Sequence, residues 1–392
     1  MAETPAETTA AEAPVKLPKT VRDKMARMKV AFDKIDRLLY RLGQQGLQRM
    51  SASSATELQA LQQTAHNAAL ITIERQIEIL ATHVQRYLDK DPLFTLDAYM
   101  STINKIWLLN KQARALFETG ALPDQMIDVI GETRRSYTML DEDITLQPLG
   151  ASGWVTDTDF VGITLYFYVD GKGEIYEASS CKPTMYFGTN PRRLMTQPIS
   201  DYVYQSIYDM SHGAYTFRNA KISRDGRLSL HKDLEIKKAP YIGGRAYSAL
   251  AVNNWKELLE RLKSKQTNPV GASAASLVFI EPTNYWPLNI DQKNARATAE
   301  LDDDQGARLQ IEVPLRAENN FLIDNLEFML GPKGKKVRPN AIFGRAWTSE
   351  GRLKLFPYTA VYNQAVVVKD HGQKRVNEVH LSLESMKNVG GV

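Results

Sequence analysis

The chain has 392 residues, of which 43% are hydrophobic and 24% charged, and its formal net charge is +4. This length allows two or three domains, and the charge is well below that of a dedicated nucleic-acid-binding domain. The single cysteine, Cys181, excludes an intramolecular disulfide framework and a multi-thiolate zinc site, and it suits a reducing compartment.

Targeting segments are not predicted. No apolar run approaches the ~18 residues of a membrane-spanning helix. Residues 1–14 lack the basic and apolar regions of a signal peptide. We therefore expect a cytoplasmic protein without membrane contact, in which residues 1–18 form a disordered lead.

The front third of the chain carries helical periodicity. Apolar residues from Val21 to Leu42 are spaced alternately four and three residues apart, which predicts a first helix. A second helix is predicted from Ser54 to Asp91 and a third from Leu96 to Phe117. The third has Met100, Ile103, Trp107, Asn110 and Leu116 near one face. Residues 19–135 thus predict an antiparallel three-helix bundle, which closes its own core or also pairs with another chain.

From about Trp154 the pattern changes to the alternation of β-strands, beginning with Ile163 to Val169. Short strands separated by turn residues predict small barrel-like or sandwich-like modules, OB-like among them, over residues 150–235 and 240–392. Helices are predicted only at 198–210 and Trp255–Leu262. The expected fold class is therefore α+β and multidomain, with the helical bundle first and the β-rich region after it.

One segment of the β-rich region has an internal echo. Ile222–Leu230 resembles Trp347–Leu355, and each reads as a strand, an acidic residue with glycine, and a second strand that begins with arginine. Either a β module is duplicated, with Arg227 and Arg352 in equivalent places, or two common hairpin turns coincide.

Catalytic and metal-binding signatures are not found. The sequence has no G-x-S-x-G elbow and no G-x-G-x-x-G after a strand, and residues 331–336 lack the spacing of a phosphate-binding loop. No two histidines form an H-x-x-x-H pair, and we find no carboxylate at ligand spacing from a histidine. We therefore predict no catalytic, metal or cofactor residue, and a protein that is not an enzyme.

Two stretches carry a resemblance to known sequences. The first contains Leu165–Tyr168, Ile175-Tyr176, Pro183, Pro198 and Asp225–Ser229, and the second runs from Phe343-Gly344-Arg345 to Pro357. They resemble uncharacterised bacterial proteins encoded beside SWIM-type zinc-finger proteins and AAA-type ATPases with von Willebrand A partners. The resemblance implies an accessory component of a multi-protein bacterial system, and it supplies no active-site residue.

Two functional hypotheses remain. The leading one is an interaction or scaffold subunit whose helical bundle docks other protein subunits, with self-association through the helical region. The alternative is a single-stranded nucleic-acid-binding protein that uses tyrosine-rich strands and basic turns. The candidate contact residues for either are Arg224, Arg227, Lys237, Lys238, Arg245, Lys333, Lys335, Lys336, Arg352, Tyr166 and Tyr168.

Overall fold

The computed structural model describes residues 18–91, 94–132, 136–156, 158–242, 250–265, 276–331, 338–349, 351–369 and 373–386. It divides into two compact units, one of the described residues up to Glu132 and one of those from Ser136 onwards. The first is helical and the second contains the sheets, so the predicted α+β class is confirmed. None of the described helices combines the length and the apolarity that crossing a membrane requires.

The helical unit contains four long helices and a short one: α1 (Lys19–Gln45), α2 (Ala52–Asn67), α3 (Ile71–Leu88), α4 (Leu96–Glu118) and α5 (Ile127–Ile130). The predicted helix from Ser54 to Asp91 is thus two helices, α2 and α3. The chain reverses at Ala69, whose φ is 55°, and the N–H of Leu70 donates to the carbonyl of Ala65. Neither glycine nor proline marks this break, so the usual stop signals are missing from the sequence.

The core of the helical unit follows the predicted stripe on α1 and part of the predicted face of α4, where Asn110 is buried and Ile103 and Leu116 pack against the core. Met28, Phe32, Ile35, Leu39 and Leu42 of α1 are all buried, as the heptad spacing predicts. On α4 the buried residues include Tyr99, Ile106, Leu109 and Ala113, whereas Met100 and Trp107 are exposed. The packed face of α4 is therefore rotated by about one residue from the predicted face.

The second unit contains two β modules. The first module is built from β2 (Ile144–Val155), β3 (Phe160–Val169), β4 (Glu174–Pro183), β5 (Ala214–Arg218) and β6 (Lys221–Ser223). The short helices α6 (Thr184–Phe187) and α7 (Ile207–His212) lie between β4 and β5. Two further strands flank it, since β1 (Tyr137–Met139) pairs with β6 and β7 (Glu235–Ala239) pairs with β5.

The strand order of the first module is specific. β2, β3 and β4 form an antiparallel meander, and β5 returns beside β2. After β6 the chain turns at Gly226, and Arg227 comes to lie parallel to Glu177 of β4. A three-stranded meander, a helix and a fourth strand beside the first, followed by a segment that is bridged in parallel to the third, match the connectivity of an OB fold, a partly open five-stranded barrel.

The second module has the same connectivity. Its elements are β8 (Ala251–Val252), α8 (Trp255–Lys265), β9 (Leu277–Ile280), β10 (Asn284–Tyr285), β11 (Asn289–Asp291), β12 (Arg296–Asp302), β13 (Arg308–Pro314), α9 (Asn320–Leu330), β14 (Ala341–Ser349), β15 (Arg352–Lys369) and β16 (Gln373–His380). After the meander of β10, β12 and β13, helix α9 leads to β14 beside β9, and β15 runs parallel to β13. The internal echo lies at the same place in both modules, the turn into the fifth strand, where Gly226 and Gly351 have positive φ.

The two modules share a core of their own. Leu149, Tyr166 and Ile175 of the first module pack in one cluster with residues of the second that include Phe343 and Tyr358. Close approach requires glycine at position 150, because a Cβ there would overlap Oγ1 of Thr359 and contact the Phe343 ring. The second unit is therefore two modules joined by a continuous apolar contact.

Candidate nucleic-acid face and a buried histidine cluster

The outer face of the first module is formed by side chains that point away from its own core. In β3, Ile163, Leu165 and Phe167 pack inside the module, so the alternating residues, among them Gly162, Thr164 and Tyr166, lie on the opposite side. In OB folds this face of the second and third strands is the surface that binds oligonucleotides and oligosaccharides. It is the natural place to look for a ligand site.

The second module covers only half of this face. Tyr166 is 3% exposed and stacks on Tyr358, with the ring centroids 5.0 Å apart. Towards the other end of the strands Phe160 is 41% exposed, and Cys181 of β4 is also exposed. The part of this face that the second module leaves uncovered contains Trp154, Phe160, Gly162, Ser179 and Cys181. We call it the open half-face.

Trp154 is the central aromatic side chain of the open half-face. It pairs with Gly162 across the ladder, and a Cβ on Gly162 would overlap its ring, so the indole lies against the glycine backbone. Its Nε1 donates to Oγ1 of Thr164 over 3.0 Å, and that hydroxyl lies 3.0 Å from Oγ of Ser179. The half-buried ring is therefore fixed in place beside exposed Phe160.

Further exposed side chains follow the end of β4. Met185 and Tyr186 follow β4 directly, at the end of the sheet where Phe160 begins β3, and they are 85% and 75% exposed. Lys182 lies 3.8 Å from Asp201, and Arg193 is exposed and donates to the carbonyl of Phe187. The exposed side chains at this end of the sheet are thus mainly aromatic, and Lys182 lies opposite Val161 on the core side of β4 rather than on the open half-face.

The described candidate residues lie in several places. Tyr166 is buried between the modules, so it cannot offer a ring to a ligand, and Tyr168 is half-buried beside the same cluster. Arg224 and Arg352 are exposed at the two equivalent turns. Arg227 lies 3.7 Å from Glu177 and 3.8 Å from Asp225, which partly neutralise its charge.

Lys237 and Lys238 are exposed on β7, the outermost strand of the first module's sheet. They are therefore separated by β5 from β2, the strand that carries Trp154 of the open half-face. The remaining predicted contacts, Arg245, Lys333, Lys335 and Lys336, lie outside the described residues. The tyrosines chosen from the sequence are thus buried or half-buried in the structure, whereas the exposed aromatic side chains of the first module were not chosen.

The corresponding face of the second module is covered with ion pairs. Arg308 lies 2.7 Å from Glu300, and Lys354, which is 2% exposed, lies 2.9 Å from Glu312. Trp286 is bound by Asp302, which accepts from its Nε1 over 2.9 Å. Arg308 and Lys354 are therefore neutralised by carboxylates on neighbouring strands.

A buried histidine cluster joins the first module to the end of the chain. His212 ends α7, His380 ends β16, and Glu384 follows in the C-terminal turn. One potential ligand atom from each residue lies within 4.8 Å of the other two. Nε2 of His212 is 3.2 Å from Oε1 of Glu384, although neither atom has a hydrogen-bond partner among the described residues.

Burial and charge act in opposite directions on these three groups. Burial favours the neutral form of Glu384, but the two histidines outweigh it and lower its pKa from the ordinary value. Burial also acts to lower the pKa of His212, and the Glu384 carboxylate raises it overall. Burial and the neighbouring His212 lower the pKa of His380 to about 4. His212 and Glu384 therefore behave as a buried ion pair beside a neutral His380.

This cluster was missed by the sequence reasoning, and the statement that no carboxylate lies at ligand spacing from a histidine was wrong. His380 and Glu384 are four residues apart, which was a visible signal. His212 lies far from them in sequence and is brought close by the packing of the two modules, so only the fold reveals the third member. His371, the histidine nearest to His380 in the sequence, lies outside the described residues.

No family model and no curated protein matches the chain. Among solved structures it is similar to one described as "Crystal structure of Ifi202 HINa domain in complex with 20bp dsDNA", with 8% identity, 56% of this chain and 94% of that chain covered, and a TM-score of 0.29. It is also similar to "p202 HIN1 in complex with 12-mer dsDNA", with 10% identity, coverage of 58% and 93%, and a TM-score of 0.31.

A third similarity is to "Structure and Conformational Change of a Replication Protein A Heterotrimer Bound to ssDNA". Its identity is 9%, its coverage is 65% of this chain and 49% of that chain, and its TM-score is 0.25. These likenesses are too distant to carry a functional argument, and the proposals below rest on the residues of this chain.

Proposed function

We propose that this protein binds single-stranded nucleic acid on the open half-face of its first β module. The observation that carries the proposal is Trp154, whose ring lies against Gly162 and donates a hydrogen bond to Thr164. Single-strand binders stack bases on such fixed aromatic rings, each stacked base contributing about 1–3 kcal/mol. The proposal is for binding and includes no catalytic step.

The surroundings of Trp154 support this ligand over a duplex. Phe160 and Tyr186 offer two more exposed rings near the same end of the sheet, which suits bases that are free of a partner strand. Lys182, Arg193 and Arg227 provide few cations, two of them near carboxylates. We therefore expect affinity that comes mainly from stacking and has a shallow salt dependence, because few phosphates are neutralised.

The test is fluorescence anisotropy with a labelled oligothymidylate of about 16 nucleotides, with oligouridylate to compare DNA and RNA. Trp154→Ala should weaken binding roughly 5- to 150-fold, the equivalent of one lost stacking contact. Trp154→Phe should retain most of the affinity. Trp286→Ala is the matched control, since it removes a half-exposed tryptophan from the second module.

Two outcomes would contradict the proposal. One is the absence of any anisotropy change at low salt, where phosphate contacts are strongest. The other is an equal loss from Trp154→Ala and Trp286→Ala, because the open half-face would then have no special part in binding.

A second role, as an interaction subunit, is supported by α4. Leu96, Met100 and Trp107 are 54%, 45% and 47% exposed, and with half-buried Ile103 they follow the four-three-four spacing of a coiled-coil seam. The seam is about 16 Å long at 1.5 Å per residue. The same helix in a second copy of this chain has the same seam, so the partner we propose is a second copy of this chain. The accessory role implied by the bacterial resemblance is part of this proposal.

Light scattering after size-exclusion chromatography tests this role. The wild-type chain should be dimeric, and the double variant Met100→Glu, Trp107→Glu should be monomeric because it places charges in the seam. Val30→Glu introduces a charge at a similarly exposed site on α1 and should leave the dimer intact. A monomeric wild-type chain at high concentration would rule out self-association.

A further inference from the structure

We propose that His212, His380 and Glu384 bind one divalent metal ion of the zinc class, and that this ion fastens the C-terminal turn to the first β module. Two imidazoles and one carboxylate form a recurrent zinc ligand set that leaves a fourth position for water. Calcium and magnesium prefer sites made only of oxygen ligands, so the two histidines favour a transition metal. The proposal is independent of nucleic-acid binding.

The separations fit a small adjustment to metal geometry. Ligands about 2.0–2.1 Å from a tetrahedral zinc ion lie about 3.3 Å from one another. Nε2 of His212 and Oε1 of Glu384 are already 3.2 Å apart. The three ligand atoms all lie within 4.8 Å of one another, so the third ligand must approach by at most about 1.5 Å to reach this geometry.

The surrounding groups orient two of the ligands. Nδ1 of His212 lies 3.0 Å from the carbonyl of Tyr208 and 2.9 Å from Oγ of Ser211, which directs its Nε2 towards the cluster. Oε2 of Glu384 accepts from the backbone N–H of His380 over 2.7 Å, which leaves Oε1 facing His212. Backbone and hydroxyl partners of this kind hold the ligands of metal sites.

His380, the third proposed ligand, must give up one hydrogen-bond contact to bind the metal. Nδ1 of His380 is 3.1 Å from Oγ1 of Thr359, and Nε2 is 3.3 Å from the carbonyl of Ser211. The threonine hydroxyl can donate or accept, so Nδ1 can carry the proton while Nε2 turns from the carbonyl to the metal.

The contact between His212 and Glu384 is close but is not aligned as a hydrogen bond. Glu384 is 1% exposed, and its Oε1 lies 3.2 Å from Nε2 of His212, which makes an ion pair without hydrogen-bond geometry. A metal bound by both atoms would replace this ion pair, with Nε2 of His212 deprotonated.

The test begins with the full chain dialysed against a chelator and then titrated with Co²⁺ or Zn²⁺. We expect one metal per chain by elemental analysis, visible ligand-field absorption with Co²⁺, and a rise in the unfolding temperature with Zn²⁺. His212→Asn and Glu384→Gln should each weaken Co²⁺ binding at least tenfold. His212 is the safer variant for folding, because its side chain is 18% exposed.

His231→Asn is the matched control, because His231 lies in the same unit and contacts the carbonyl of Asn219 rather than the cluster. It should keep full metal binding. The proposal is overturned if the wild-type chain binds no metal above background. It is also overturned if folded His212→Asn gives the same Co²⁺ spectrum as the wild type, since the metal would then be held elsewhere.

Discussion

The two β modules have one connectivity and two different outer faces. The first presents Trp154 and Phe160 on the part of its face that the second module leaves open. The second presents Arg308, which forms ion pairs with Glu300 and Asp302. Strand order therefore says where a ligand surface lies, whereas the side chains on that surface decide what it can bind.

The second module also limits the surface that the first module can offer to a ligand. The covered half of the first face is lined by apolar side chains such as Tyr166 and Ile175, which pack in the core shared with the second module. A ligand surface of full length is therefore not available on the first module. The open half-face remains because the strands continue past the edge of this shared core, to Trp154 and Phe160.

The largest expected effect comes from Phe343→Ala, which tests whether the modules unfold together. Phe343 is fully buried and its ring centroid lies 5.5 Å from that of Tyr166. Truncation of such a ring lowers the free energy of unfolding by about 3–5 kcal/mol. In urea denaturation, a shared core predicts that the signals of both modules shift together, whereas movement of one signal alone would show two independent modules.

Gly150→Ala should have a smaller effect at the same contact. Its Cβ would overlap Oγ1 of Thr359, and overpacking of this kind lowers the free energy of unfolding by about 1–3 kcal/mol. Gly43→Ala is the control, since a Cβ there meets nothing within 4 Å and the residue lies in α1. It should be neutral or stabilising in the same urea experiment. An unchanged midpoint for Gly150→Ala would mean that the modules can separate there at no cost.

Much of this architecture could be read from the sequence because periodicity reports which side of an element is buried. The heptad spacing of α1 and the alternation of β3 are local, and both are confirmed. The break at Ala69 was missed because a left-handed alanine carries no compositional signal. The echo around Gly226 and Gly351 was visible, but its meaning depends on long-range strand pairing.

The candidate sites were harder to predict from the sequence, because they also depend on long-range contacts. Tyr166 was predicted as a contact residue because it lies in a tyrosine-rich strand. Alternation separates the two faces of a strand, but it does not show which face a second module covers. Trp154 is significant only because it lies across Gly162 on the neighbouring strand. The histidine cluster joins residues 212 and 380, and no local pattern connects positions so far apart.

The smallest expected effect tests whether charge alone separates the two faces. The double variant Glu300→Gln, Asp302→Asn removes the carboxylates that neutralise Arg308, which lies over the Trp286 ring at 4.8 Å. A freed arginine beside an aromatic ring suits a nucleic-acid strand, so oligothymidylate affinity at low salt should rise about 2- to 5-fold. Glu257→Gln, Glu260→Gln on α8 removes the same charge from an exposed helix and is the control. An equal rise in both would assign the effect to net charge, whereas a rise in the first alone would show that paired carboxylates are what keep the second face from binding.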